Sequence, residues 1–469
     1  MKPNLSVNVR DFGAKGDGHT DDTAALKKAQ AAVKVPAGRG RVPTLHWPNG
    51  IYNTTEPLHF GYDMAAFPRP ELRCDNSNEN ADKSPIAKAA RVCLRGEGRV
   101  VIRYTGPPTS DYLLYCAGND RGFEPVNGLV LDCGHKCRGL FAAHLAYQST
   151  LRNIEIIQSR GIGLDLLGCW GSVVESILCR DVRGVAVRAY QFNSAAMRNI
   201  QISGSDKGEL PWPDASEGHI RSLRHKDVAQ VAPYRRAAMV IHGNNSSFDG
   251  LGFEGVEYGD GPAALFADVS TCGFGQLRFE GNDLPGSKIR LARYARQNTF
   301  DGIHCVDATA CNSLFDCGMD VAGNTFSNIG GQGNLGSVVT HREGFHANTI
   351  RGVGFVEDVP LSIEPDSPNT IDGALTGSVV TSGPSVSMRP ASYYYNIPQA
   401  VPLIVLDGGA KLHTIEDGRP GDQVAVQAAD PYGIIEPGGN IITGPNPAVL
   451  QAGAIVRLVC DGEHWRNPV

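Results

Sequence analysis

Three carboxylates stand where acid–base chemistry can be built: Glu254, Asp268 and Glu280. Glu254 and Glu280 are 26 residues apart, and each follows a short strand-like run, Leu251-Gly252-Phe253 and Leu277-Arg278-Phe279. Glycosidic cleavage needs one carboxyl kept protonated as the acid and a second ionised as base or nucleophile. Carboxyls about 5 Å apart suit the retaining reaction, and a wider gap suits the inverting one. Like charges held that close push one pKa up and so divide the roles. Asp165, Arg188, His242, Arg278 and His304 are suited to hold sugar hydroxyls or a charged substituent, and Trp212 to stack on a sugar ring. The candidate catalytic residues are thus Glu254, Glu280 and Asp268. The candidate substrate-binding residues are Arg188, Arg278, His242, His304, Trp212 and Asp165. No metal site and no cofactor is expected. The competing reading is that such residues form ordinary solvated ladders of little energetic weight.

The elements that position these residues are repeats. Asn153-Ile154-Glu155-Ile156, Ser176-Ile177-Leu178-Cys179 and Asn199-Ile200-Gln201-Ile202 recur at intervals of 23. Gly250-Leu251-Gly252-Phe253, Gln276-Leu277-Arg278-Phe279 and Gly302-Ile303-His304-Cys305 follow at intervals of 26, and Asn324-Thr325-Phe326, Asn348-Thr349-Ile350 and Asn369-Thr370-Ile371 continue the series. A second short strand accompanies them, as in Gly161-Ile162-Gly163-Leu164 and Gly184-Val185-Ala186-Val187. Alternating strands at a period in the twenties predict a solenoid, and a parallel β-helix fits best.

Strand alternation converts the repeat into a map of faces. Ile154, Ile177, Ile200, Leu251, Leu277 and Ile303 are expected inside, as are Ile156, Cys179, Ile202, Phe253, Phe279 and Cys305. Glu155, Leu178, Gln201, Gly252, Arg278 and His304 face out, as do Ile157, Arg180, Ser203, Glu254, Glu280 and Val306. The second strand is expected to carry an outward row of Ala143, Asp165, Arg188, His242, Asp268 and Ala292.

The chain opens with Asp11-Phe12-Gly13-Ala14-Lys15-Gly16-Asp17-Gly18-His19-Thr20-Asp21-Asp22-Thr23, leading into a short helix. Its aspartates are read as turn and capping chemistry, not as a cation loop. This segment resembles the opening of the pectate-lyase-like, right-handed parallel β-helix superfamily, in which such a stretch leads into a helix capping the solenoid. That superfamily includes polygalacturonases and bacteriophage tailspikes that depolymerise surface polysaccharide. The resemblance implies an all-β, right-handed parallel β-helix with an N-terminal capping helix. The Asn-Thr-Asp, Asp-Asp and Gly-His-Gly series of polygalacturonases is not present; Asn348-Thr349-Ile350 and Asn369-Thr370-Ile371 lack the first aspartate.

Composition agrees. Of 469 residues, 56 are Gly and 29 Pro, and aromatics make up 7%, as in a turn-rich β protein. A net charge of −6 excludes a generic basic nucleic-acid binder. No run approaches the ~20 apolar residues of a membrane-spanning helix, and the first residues lack a signal-peptide run, so synthesis in a cytoplasm is expected. The 12 cysteines are dispersed. Cys133-Gly134-His135-Lys136-Cys137 looks like half a zinc site without a second half, and buried free thiols are expected instead.

Three regions are expected: a cap with the first coils at 1–60, a β-helix at 61–385 interrupted near 61–90 and 204–236, and a C-terminal β-rich module at 386–469. The module's Leu403–Asp407 strand and closing Asp461-Gly462-Glu463-His464-Trp465 hairpin resemble small C-terminal modules of phage tail proteins. Together these readings point to a tailspike-like depolymerase that hydrolyses a bacterial surface polysaccharide. It is expected as a homotrimer docked to a phage tail component, in a virion tail or outside the cell. A polysaccharide lyase or epimerase acting on a uronate is the second reading. A non-catalytic glycan-binding adhesin or structural tail protein is the third.

Overall fold

The computed structural model describes residues 6–33, 42–60, 92–117, 124–143, 145, 148–206, 237–257, 263–291, 295–318, 321–341 and 345–355, and short segments between 361 and 466. The chain is nearly all β, with parallel strands wound into a β-solenoid and few helices. It forms two compact units, Met1–Phe266 and Ala267–Val469. Among the described residues no helix is long and apolar enough to cross a membrane.

The N-terminal unit begins with strand β1 (Ser6–Asn8), a short 3-10 helix (Val9–Phe12), strand β2 (Asp17–Asp21) and helix α1 (Thr23–Ala32). The acidic opening segment is occupied with turn chemistry, as the sequence predicts. Asp17 accepts hydrogen bonds from the backbone N–H of His19 and Thr20 at 2.9 and 2.8 Å, which hold its carboxyl down at about 2. Asp22 accepts from the N–H of Lys15 and Gly16 at 2.7 and 3.1 Å, fixing the loop against the helix start.

The repeats follow: β3 (Thr44–Thr54), β4 (Leu58–Phe60), β5 (Cys93–Tyr104), β6 (Tyr112–Ala117), β7 (Val126–Asp132), β8 (Arg138–Ala143), β9 (Thr150–Ile157), β10 (Leu164–Trp170), β11 (Val173–Arg183), β12 (Val187–Asn193), β13 (Ala196–Asp206), β14 (Met239–Asn244) and β15 (Ser247–Glu254). Odd-numbered strands from β3 to β15 stack as one parallel ladder. Even-numbered strands from β4 to β14 stack as a second.

The expected inward rows of the first ladder are correct. Ile154, Ile177, Ile200 and Leu251 pair in register, as do Ile156, Cys179, Ile202 and Phe253, and all are buried. Each rung also carries one residue in the left-handed region at the same place: Gly128 (φ 76°), Asn153 (54°), Ser176 (56°), Asn199 (51°) and Gly250 (65°). Gly and Asn tolerate that conformation best. Stacking it rung upon rung produces a coherent bend.

In the second unit, β16 (Ala263–Ser270) spans the division. β17 (Gly273–Glu280), β19 (Thr299–Cys317), β20 (Thr325–His341) and β21 (Thr349–Phe355) then form a parallel ladder, with β18 (Ser287–Leu291) against the second half of β19. Phe274, Phe300 and Phe326 stack in its core with centroids 4.5 and 5.5 Å apart. A buried asparagine ladder closes one corner. The Asn324 side-chain oxygen accepts the Asn298 backbone N–H at 2.9 Å, that of Asn348 accepts the Asn324 N–H at 2.9 Å, and that of Asn369 accepts the Asn348 N–H at 3.0 Å. Buried backbone donors must be paired, and one asparagine per coil does this.

Parallel pairing runs past residue 386, through Leu403–Asp407 to Gln423–Ala428. Gln423–Ala428 then pairs antiparallel with Ile455–Cys460. The expected closing hairpin is present, with Cys460 opposite Trp465. The interruptions at 61–90 and after Asp206, with Trp212, lie outside the described residues.

Candidate functional site

On the second ladder of the N-terminal unit, polar and aromatic side chains converge on the outward face. Leu164 and Leu166 face the core, so Asp165 and Leu167 point the other way. Asp165 pairs with Phe141 on one side and Arg188 on the other, and Arg188 pairs with Val240. The next outward row is Ala143, Leu167, Tyr190 and His242.

This corrects the expected row. Ala143 lies opposite Leu167 rather than Asp165, and His242 opposite Tyr190 rather than Arg188. A slip of two residues keeps a side chain on its face and changes its neighbours. The adjacency of Asp165 and Arg188 is as expected.

Asp165 is 2% exposed, and Arg188 grips both its oxygens. Arg188 Nε donates to Oδ1 at 2.8 Å and a terminal nitrogen to Oδ2 at 2.6 Å. The Tyr112 hydroxyl also donates to Oδ2. Burial, and then the charge of Asp165, push the Tyr112 phenol well above its ordinary value, so it keeps its proton. The Arg138 guanidinium lies 5.4 Å from the centre of the Tyr112 ring. Tyr112 packs with Tyr115, Phe141, Leu167 and Tyr190 in one buried cluster.

Two histidines lie along this face. His242 stacks on Tyr190, with centroids 4.7 Å apart and planes at 18°. His59 stacks on Tyr115 at 4.6 Å. Burial, reinforced by the charge of Lys27, pushes the His59 imidazole down to about 4, so it is neutral near pH 7.

The remaining candidates are more dispersed. Glu254 ends β15, exposed, in register with Ser203. Glu280 ends β17, and Arg278 reaches its carboxylate at 2.5 Å along the same outward face. Arg278 pairs across the rung with exposed His304. Asp268 is half-buried on β16. Glu254 belongs to the first unit, and Asp268 and Glu280 to the second.

Sequence reasoning missed Tyr112 and Tyr190. Tyr190 sits two residues after Arg188, an alternation signal that was available. Tyr112 lies 53 residues from its partner, and no local pattern marks that contact. All described cysteines are free, and all but Cys93 are buried. Burial pushes the thiols of Cys169 and Cys179 up to about 12, which suits inert core residues.

Residues 6–64 match the family model described as rhamnogalacturonase A/epimerase, pectate lyase-like. Beyond that segment the chain continues as a parallel β-solenoid. No curated protein matches the chain. Among solved structures, ORF18 of Geobacillus virus E2 is similar at 13% identity and a TM-score of 0.46, over 76% of this chain. This chain spans 62% of the length of that viral protein. The A-module of mannuronan C-5 epimerase AlgE6 from Azotobacter vinelandii is similar at 12% identity and a TM-score of 0.39, over 88% of this chain and 94% of its own. The surface adhesin PfbA of Streptococcus pneumoniae is similar at 12% identity and 0.34, over 98% and 99%.

Proposed function

We propose that the protein acts on a polysaccharide and cleaves its glycosidic bonds by carboxylate acid–base hydrolysis. The observation that carries this reading is the Asp165–Arg188 pair beside the Tyr190–His242 stack. Arg188 is 16% exposed at its side chain, while the carboxylate behind it is fully sheltered. A guanidinium held from behind presents a fixed fork to whatever lies in front of it. Beside it the half-buried His242 ring, backed by Tyr190, supplies an aromatic surface suited to the apolar face of a sugar ring. Such a combination favours a ligand both hydroxylated and ring-shaped.

The acid and base roles fall to Glu254, Glu280 and Asp268, with Arg278 and His304 holding substrate groups. The finer reading is a tailspike-like, homotrimeric depolymerase of a bacterial surface glycan, docked to a phage tail component. The opening motif and the closing Cys460–Trp465 hairpin support it.

The test is a degradation screen with capsular and O-antigen polysaccharides, pectin and alginate. Shortened chains with new reducing ends and no ultraviolet absorbance are expected. Shortening with absorbance from a new C4=C5 double bond would make the enzyme a lyase. Binding without shortening would make it an adhesin.

A further inference from the structure

Trp170 ends β10, two residues past a corner of the coil. Gly168 takes φ 67°, and Gln191 on the adjacent rung takes 53°. The pairing skips both, running Leu167 to Tyr190 and then Cys169 to Phe192. Cys169 and Phe192 are fully buried. One left-handed residue on each rung turns the coil here, as in the first ladder, and the next pair, Trp170 and Asn193, points outward beyond the corner. The pair lies next to the face carrying Asp165, Arg188, Tyr190 and His242, on the other side of that corner.

Trp170 is 45% exposed, and among the described residues of its unit it is the large hydrophobic side chain left open to solvent. Its backbone is pinned, the N–H donating to the Leu145 carbonyl at 2.8 Å. Asn193 lies beside it on the next rung, and Asn244 beside Asn193 on the one after. The Asn193 side-chain oxygen accepts the Asn244 backbone N–H at 3.1 Å, which fixes that amide. An exposed indole with a row of amides alongside matches a sugar ring, which offers an apolar face and a rim of hydroxyls. Along the strand, Trp170 is five residues from Asp165, at most about 17 Å by the rise of a β-strand. A bound glycan crosses that gap with a few units.

We propose that Trp170, with Asn193 and Asn244, forms a distal subsite for a pyranose ring of the same glycan that meets Arg188. This rests on the glycan-acting reading above. The subsite adds affinity for long chains and leaves short ones indifferent to it.

The test compares the intact protein with Trp170→Ala and Trp170→Tyr. The probes are capsular and O-antigen polysaccharides, pectin and alginate, each as polymer and as short fragments, and binding is followed by affinity electrophoresis. Trp170→Ala is expected to fold with only a small drop in melting temperature, because the ring is 45% exposed. It is expected to lose polymer affinity on the order of tenfold, as for loss of an interface tryptophan. Trp170→Tyr restores most of it, and fragment binding stays at the parent level. If the parent binds a polymer and Trp170→Ala binds it equally well, the subsite is wrong and the glycan reading stands. If the parent neither binds nor shortens any of these glycans, both fall.

Discussion

Arg188 holds Asp165 across one rung of the second ladder by two hydrogen bonds, 2.8 and 2.6 Å long, with Asp165 2% exposed. A carboxylate so far from water is tolerated because its charge is matched in a bidentate geometry and the Tyr112 hydroxyl donates to it as well. The pair thus couples the stability of the solenoid to the proposed binding face.

Arg188→Ala leaves a buried charge without its partner and is expected to cost about 3–5 kcal/mol. Arg188→Lys keeps the charge but loses the fork, and recovers only part. Replacing both residues, Asp165→Leu with Arg188→Met, costs less than Arg188→Ala alone. Urea unfolding midpoints measure all three. Equal loss in the single and double variants would show that the charge is not the issue.

His59 supplies a pH dependence. Its imidazole is pushed from 6.5 down to about 4 in the folded protein. Between those values the unfolded chain binds the extra proton and the folded one does not. Its contribution is complete above pH 6.5 and is lost as pH falls toward 4. His59→Phe keeps the stack on Tyr115 and removes the titration. The drop in melting temperature across that window should shrink in this variant; an unchanged drop would place the titrating group elsewhere.

Asn324 joins two links of the asparagine ladder. Asn324→Leu removes the acceptor for the Asn298 backbone N–H and strands a buried donor. An unsatisfied buried group costs about 1–3 kcal/mol. Asn324→Asp keeps that acceptor but loses the amide that donates to the Ala295 carbonyl and to Asn348 Oδ1, and buries a charge, so it should cost at least as much at neutral pH as Asn324→Leu. Amide hydrogen exchange in the ladder should report the opening at Asn298.

The proposed chemistry assigns turnover to Glu254, Glu280 and Asp268. Glu280→Gln breaks the contact with Arg278, but both side chains are largely exposed, so stability should change by less than about 1 kcal/mol. Loss of turnover without loss of fold is expected for whichever carboxylates serve as acid and base. Glu254→Gln, Asp268→Asn and Glu280→Gln, assayed for reducing ends, separate them. Full activity in all three would remove these residues from the mechanism.

The period and the inward faces were legible because each coil repeats the same buried pattern, as in Ile154, Ile177, Ile200 and Leu251. The first-ladder outward rows followed directly, and Arg278 does lie beside His304. The second ladder was harder. Alternation fixes the face of His242 but is blind to a shift of two, so only pairing shows that Tyr190 is its neighbour. The corner at Gly168 and Gln191 is hidden for a related reason. A glutamine in the left-handed region carries no sequence signal, yet Gln191 matches Gly168, which turns the chain just before Trp170 so that it faces out. The grip of Tyr112 on Asp165 depends on coils far apart in the chain.

The most direct measurement is the size-exclusion profile of purified capsular or O-antigen polysaccharide before and after incubation with the protein. The account predicts a shift from polymer to short oligomers, with new reducing ends and no ultraviolet absorbance. Polysaccharides that keep their full length and do not bind, across the whole panel, would contradict it.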